Sequence, residues 1–501
     1  MGSDRARVLA LTALAMVAYV ACAGGLQIGQ HVDDASYVML AKALLSGQGY
    51  RQIAYPDAPL ETKYPPLLPL LIAPFLWLSG GALWAARLPA LVSAIAAVPV
   101  LWLLLRRFAD GWTLWLVTAV VALHPMIVGF AGMAMTEAPS LLLTWGILLL
   151  VLPAVPPGSG EAKPPGAGRW LGTGLLLGLG MLLRADTVAL VAAVALWLLW
   201  RHRWTETGLT ALGCILPLLP WWMHLARATG GETYLVEAAV AWWDPSPLPM
   251  RLWHSLVIYL GDYVPQVVTL VFGQQVTAAA QTHGVGWLVV GLQWLTSALV
   301  VVGAWCLRRQ LPALVLIFII LRLGMLLAFA RATRYLLPML PFLTLFLIEG
   351  SGLWRRRLCL RGREVSGAIP ALALLLALAL GRDGLLLVRP PRLQYPDLVA
   401  GAALIREHAP PEAVVMCTWV AKSFWLYADR PLLEADPTLG RRLRGAELLR
   451  RLRQADYVLF SPYAEGEDPA LANQMGEPEF ETVAVASDGR QRLLRVRHPT
   501  P

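Results

Sequence analysis

Apolar stretches long enough to cross a bilayer recur in this chain from residue 8 to about residue 388. Water offers no place to hide so many of them. Each crossing of a hydrocarbon core about 30 Å thick takes about 20 helical residues, and only helices or closed barrels satisfy their own backbone there. The 501 residues are 57% hydrophobic and only 15% charged, with 21 tryptophans. This pattern predicts a polytopic α-helical membrane protein and is too repetitive for a single anchor. Spans are expected at about 7–28, 84–105, 112–130, 138–153, 170–183, 187–200, 208–223, 286–305, 311–330, 335–354 and 367–388, about 11 in all. The first run has the length of a signal peptide, but no small-residue cleavage site follows it, so it reads as retained.

Basic residues orient these spans. Arg5/Arg7, Arg106/Arg107, Lys163/Arg169, Arg201/Arg203, Arg308/Arg309 and the run Arg355, Arg356, Arg357, Arg361, Arg363 all fall on one side. By the positive-inside rule that side is the cytoplasm. The amino terminus is then inside and the final segment outside, as in a multi-pass inner (plasma) membrane protein. The net charge of +9 belongs to this pattern. Residues 390–501 hold 14 Lys+Arg against 15 Asp+Glu, leaving 27 against 17 in residues 1–389. The surplus is a topology signal and speaks against nucleic acid as a partner. Five scattered cysteines show neither metal-ligand spacing nor a disulfide framework.

The chain divides at residue 390. The transmembrane module, 1–389, carries two long outer loops, 29–83 and 224–285. The first loop holds "ASYVMLAKALLSG", where Tyr37, Leu40, Ala41, Leu44 and Leu45 make one apolar helical stripe ending before Gly47. It also holds "PPLLPLLIAPFLWL", expected to lie in the interface. The second loop, rich in Trp, Pro and Tyr, reads as an interfacial cover. Residues 390–501 have soluble composition. "AVVMCTWV", "DYVLFSP", "FETVAVAS" and "RLLRVRH" read as strands, and "DLVAGAALIREHA" and "GAELLRRLRQA" as amphipathic helices, which predicts a small α/β extracytoplasmic domain. It has no Gly-rich phosphate loop and no nucleophile elbow.

Placed on this topology, the unusual polar residues gather on one face. Asp33 and Asp34 lie at the outer end of the first helix, with Lys63 and Tyr64 in the same loop. His124 and Glu137 bracket the turn "LHPMIVGFAGMAMTEAPSLLL", and Arg184 and Asp186 form "LLRADTVAL". Arg331, Arg334 and Tyr335 form "RATRYLLPMLPF". Each has an ordinary reading. Asp34 suits a helix N-cap worth about 1 kcal/mol, Glu137 a helix dipole, Lys63 a snorkelling position. Arg184 and Asp186 suit an anchored turn, and His124 suits packing or capping. One shared outer site explains their common face. Arg322 stands apart, near the middle of the ninth span, where a charge costs about 2.5–3.5 kcal/mol on insertion scales. It is expected to face the bundle interior or a polar cavity.

Four motifs in order, "DDASY", "TKYPPLLPLL", "MTEAP" and "RYLLPMLPFLTL", resemble those of the polyprenyl-phosphate-dependent glycosyltransferases of the GT-C fold. The likeness is to bacterial relatives of protein O-mannosyltransferases and of lipid A aminoarabinose transferases, and covers about residues 1–390. The chain departs from the pattern in two places. Asp34 stands where Glu is common, and Tyr64 separates Lys63 from the Pro-Pro pair.

The resemblance implies an enzyme of cell-envelope glycosylation, a hexosyl- or pentosyltransferase. Its donor is a polyprenyl-phosphate-linked sugar, its acceptor a glycan, lipid or protein hydroxyl at the outer face, and displacement is direct and inverting. Asp33 matches the family's first acid and is expected to be the catalytic base. Asp34 and Glu137 would orient the acceptor or hold a divalent cation such as Mg or Mn. Lys63 and Arg334, with Arg331 as neighbour, would bind the donor phosphate. Tyr37, Tyr64, Tyr335, Arg184, Asp186 and His124 would support the site. Two other classes remain: a lipid or sugar transporter or flippase, which calls for ionisable groups near the midplane and an internal repeat, and a non-catalytic envelope assembly protein. Arg322 is the one feature that favours transport.

Overall fold

The computed structural model describes residues 2–23, 27–152, 166–228, 247–270, 280–329, 332–352, 357–360, 363–388, 397–435, 445–461, 479–487, 489 and 491–497. Arg331, Lys163, Arg355, Arg356, Arg361 and much of the 224–285 loop lie outside them.

Helices form along the apolar runs, and several of them end at or beside Pro, Gly or Arg. In order they are α1 (Gly2–Ala23), α2 (Asp33–Leu45), α3 (Leu67–Leu78), α4 (Leu88–Leu105), α5 (Gly111–Ala122), α6 (Pro125–Ala131), α7 (Glu137–Val151), α8 (Ala167–Leu183), α9 (Val188–Trp200) and α10 (Trp204–Arg227). Helices Gly286–Leu307, Ala313–Phe329, Leu340–Gly350 and Ala368–Val388 complete the apolar part. Among the described residues, four helices are long and apolar enough to cross a membrane: Asp4–Ala23, Leu83–Leu105, Trp204–Arg227 and Gly286–Leu307. The pair α5 and α6, bent by 53°, makes a fifth if it is one span. Among the described residues the other apolar helices run 10–17 residues, so about eleven full crossings are not shown. Proline and tight turns interrupt some of the apolar runs. Pro125 restarts the chain after His124, and a 3-10 segment, Thr333–Met339, containing Pro338, precedes helix Leu340–Gly350.

The outward faces carry Trp77, Leu78, Trp200 and Trp287, the last 75% exposed. In water such surfaces would be an association liability; in lipid they are solvated. Inside, Leu101, Val117, Leu148, Leu177, Phe318 and Phe342 belong to one continuous apolar core. Lipid solvates apolar faces as well as a neighbouring helix does, so close backbone approach supplies the packing. At Gly303 a Cβ would overlap the Phe346 carbonyl, and at Gly350 the Leu299 carbonyl, so these two glycines set the crossing of helices 286–307 and 340–350.

Beyond residue 397 the polypeptide forms a five-stranded sheet of order β4-β3-β5-β7-β6, with β3 Val415–Cys417, β4 Leu433–Glu434, β5 Tyr457–Phe460, β6 Phe480–Val485 and β7 Arg492–Val496. A two-stranded hairpin, β1 Arg357–Leu360 and β2 Arg363–Ser366, comes earlier. In the sheet, β3 pairs in parallel with both β4 and β5, and β7 pairs antiparallel with β5 and β6. Helices Leu398–His408 and Ala421–Ala428 pack beside it. This unit grips the segment 27–54. Ser423 Oγ donates to the Gly29 carbonyl at 2.7 Å, Tyr427 Oη to that of Ile28 at 2.9 Å, and the Leu432 N–H to that of Ala54 at 2.9 Å. Gln27 Nε2 bonds Asp397 Oδ1 at 2.9 Å.

Candidate active site

The site begins where α1 ends. The chain turns through Val32, at φ 63°, and starts α2 at Asp33. A β-branched residue rarely adopts a positive φ, and such backbone strain, about 1–3 kcal/mol, concentrates at functional sites. The neighbouring aspartates part company here. Asp34 is buried and accepts the N–H groups of Gly29 at 2.7 Å, Ala35 at 2.9 Å and His31 at 3.2 Å. Burial pushes its carboxyl up to about 6 against the pull of those N–H groups. Asp34 is therefore neither an N-cap nor an acceptor-facing group; it ties the 29–35 turn together. Gly29 serves this turn at φ 103°, with room for no side chain against Leu398 and Leu426.

Asp33 stays open, with 28% of its side chain exposed. Tyr64 Oη donates to Asp33 Oδ1 at 2.7 Å, and Arg334 Nη2 lies 3.6 Å from Oδ2. From Arg334 a line of alternating charges runs inward. Arg334 Nη1 is 3.5 Å from Glu137 Oε1, which takes a 2.9 Å bond from Arg184 Nη1. Arg184 Nη2 reaches Asp186 Oδ2 at 3.2 Å, and Arg322 Nη2 reaches the same oxygen at 2.8 Å. Arg322 also donates to the carbonyls of Tyr335 and Asp186. The Arg184 and Arg334 guanidiniums lie 5.2 and 5.5 Å from the Tyr335 ring centre. Arg184 Nη1 also bonds Thr136 Oγ1 at 3.0 Å.

Tyr64, an interruption in the motif, is the hinge of the arrangement. Its ring meets Tyr37 edge-on at 5.2 Å. Lys63 Nζ is 5.1 Å from the ring centre and Lys422 Nζ 5.3 Å. Glu61 is buried, and its Oε1 accepts the N–H groups of Lys63 at 2.6 Å and Tyr64 at 3.1 Å. Burial pushes the Glu61 carboxyl up, and the Lys422 ammonium pulls the other way.

Most of the residues singled out in the sequence thus meet: Asp33, Tyr37, Lys63, Tyr64, Glu137, Arg184, Asp186, Arg334 and Tyr335. Arg331 lies outside the described residues. His124 does not join them. It is buried, its Nδ1 accepts the Met126 N–H at 3.2 Å as the N-cap of α6, and its Nε2 lies 2.9 Å from the Val267 carbonyl. Glu61, Thr136 and Lys422 were missed. For Lys422 the available signal is a lysine set in the apolar run "WVAKSFWLYA", which points to burial.

Among the described residues, no group of three or more His, Cys, Asp or Glu can hold a metal ion. The oxygens of Asp34 are taken by three backbone N–H groups, and Glu137 Oε1 faces two guanidiniums. Glu137 Oε2 has no hydrogen-bond partner among the described residues, and the neighbouring arginines bring positive charge to this part of the site.

Residues 63–225 match the family model described as dolichyl-phosphate-mannose-protein mannosyltransferase. That segment contains Lys63, Tyr64, Glu137, Arg184 and Asp186. No curated protein sequence matches the chain. Among solved structures, ArnT from Cupriavidus metallidurans bound to undecaprenyl phosphate is similar over 97% of this chain and 97% of its own, with a TM-score of 0.59 and 14% identity. This is a GT-C fold. The oligosaccharyltransferase AglB from Archaeoglobus fulgidus, in complex with an inhibitory peptide and a dolichol-phosphate, shares the GT-C architecture over 99% of this chain and 75% of its own, with a TM-score of 0.51 and 13% identity.

Proposed function

We propose that this protein is a membrane glycosyltransferase that moves a hexose or pentose from a polyprenyl-phosphate-linked donor to a hydroxyl acceptor at the extracytoplasmic face, with inversion. In this reading residues 1–389 form the catalytic module of a multi-pass plasma-membrane protein and residues 390–501 the outer domain. One observation carries it: Asp33, 28% exposed, is held by Tyr64, whose ring carries Lys63, and lies 3.6 Å from Arg334.

An acceptor hydroxyl is a poor nucleophile. As its oxygen attacks the anomeric carbon, the proton passes to Asp33, help typically worth about 10²–10⁴-fold. The bond from that carbon to the phosphate oxygen breaks, and the electron pair leaves with polyprenyl phosphate. Lys63 and Arg334 meet the departing charge through bonds worth about 1.5–3 kcal/mol each. Arg334 suits this task because its carboxylate contacts, at 3.5 and 3.6 Å, exceed the usual 2.7–2.9 Å of a charge-assisted bond. It can turn to a phosphate without breaking a tight pair.

Arg322, the feature that favoured transport, is buried against Asp186 and the Tyr335 carbonyl. A structural job suffices for it. The deciding experiment supplies purified protein in nanodiscs with a panel of polyprenyl-phosphate sugars and an envelope acceptor fraction, and follows release of free polyprenyl phosphate. Release with one donor, abolished in Asp33→Asn and insensitive to EDTA, is the expected result. A wild type that neither turns over nor binds any donor would move the transporter reading first.

A further inference from the structure

Lys422 belongs to the outer unit, yet it reaches the membrane module's site. It is only 9% exposed, and among the described residues it makes neither a hydrogen bond nor an ion pair within 4.0 Å. Lysine is almost never buried without a partner. The Tyr64 ring, 5.3 Å away, offers a cation–π contact, which satisfies none of the three N–H donors. The nearby Glu61 has Oε1 committed to the Lys63 and Tyr64 N–H groups. The Lys422 ammonium, drawn towards Glu61 without an ion pair within 4.0 Å, sits beside the same ring that carries Lys63, on the tyrosine whose hydroxyl holds Asp33.

We propose that Lys422 is a phosphate-binding residue lent by the outer unit. With Lys63 it flanks Tyr64 and receives the phosphate of the polyprenyl carrier as it leaves the sugar. This rests on the glycosyltransferase reading and adds to it a ligand that the four motifs do not contain. Two features favour the lipid carrier over a water-borne anion. α3 begins four residues after Lys63, and its Leu70, Trp77 and Leu78 are exposed on the bundle's apolar surface; a prenyl chain anchored at Lys63 has a path into lipid along them. The lysine is also placed by the loop that places the base. Ser423, next in sequence, donates to the Gly29 carbonyl, and the Gly29 N–H donates to Asp34.

The test uses the full chain in nanodiscs with undecaprenyl phosphate, undecaprenol and inorganic phosphate as probes. Lys422→Met should weaken undecaprenyl phosphate binding about tenfold and raise the donor KM, while undecaprenol binding stays as in wild type. Lys422→Arg should restore binding to within about threefold. Inorganic phosphate should bind far more weakly than the lipid and lose affinity in the same variant. If Lys422→Met binds undecaprenyl phosphate as wild type does, the proposal is wrong and the glycosyltransferase reading stands. Equal weakening for phosphate and alcohol, or failure of arginine to rescue, makes the lysine structural and overturns it. So does a rise confined to the acceptor KM. Should Lys422→Met not fold, Lys422→Gln and Lys422→Arg decide by the same comparison. A wild type that binds no undecaprenyl phosphate overturns both readings together.

Discussion

The charged line has two ends, and they are built on different terms. At the inner end Arg184, Asp186 and Arg322 are joined by contacts of 2.8–3.2 Å, and Arg322 is 3% exposed. Every charge there has a close partner. At the outer end Arg334 is shared between two carboxylates at 3.5 and 3.6 Å, Asp33 is partly open, and Lys422 has no ion pair among the described residues. One end commits its charges to holding helices together; the other leaves them loosely paired. Glu137, touched from both sides, couples the two.

Substitutions should separate these ends. The largest effect is expected at the open end, where Asp33→Asn should cut turnover by about 10²–10⁴-fold and leave thermal unfolding nearly unchanged. Equal losses of activity and stability would erase the distinction. At the closed end Asp186→Asn leaves the buried Arg322 unpaired, a loss of about 3–5 kcal/mol, and should show as a lower Tm and poor recovery from detergent. A variant as stable as wild type would mean the inner charges are not structural. Arg334→Met should cost on the order of 10–100-fold in kcat with little change in Tm, since its contacts are long and its side chain 30% exposed.

The smallest effect is a pH dependence at Asp34. Its folded carboxyl titrates at about 6, above the ordinary value of 3.8. The fold therefore favours the protonated form. That stabilisation is complete below about pH 4 and is lost as pH rises through 6, on the order of 3 kcal/mol in all. Melting curves from pH 4 to 8 should show wild type losing stability relative to Asp34→Asn across this window. A flat difference would count against the burial argument.

Much of the site was legible because charge in an apolar chain is conspicuous. Asp33, Glu137, Arg184, Asp186 and Arg334 announce themselves by their surroundings, and the basic loops put them on one face. What the sequence hides is division of labour. Nothing in "DDASY" says that Asp34 turns back onto the backbone of Gly29 while Asp33 stays free; that depends on Val32 taking a left-handed conformation. Tyr64 looked like an insertion in a motif because only three dimensions bring its hydroxyl to Asp33. Arg322 looked anomalous because its partner lies 136 positions away. Local periodicity also ran through the 3-10 turn at Thr333–Met339 and the break at His124–Pro125, which composition does not reveal.

The bond between Ser423 and Gly29 joins positions 394 apart in the chain. Contacts of such separation are entropically slow to close, and here closure waits for a segment made long after the turn it clamps. Until then the turn bearing Asp33 lacks its outer clamp and Lys422 is elsewhere. A chain lacking Ser423 therefore lacks this clamp on the turn that carries Asp33, whatever the state of its apolar helices.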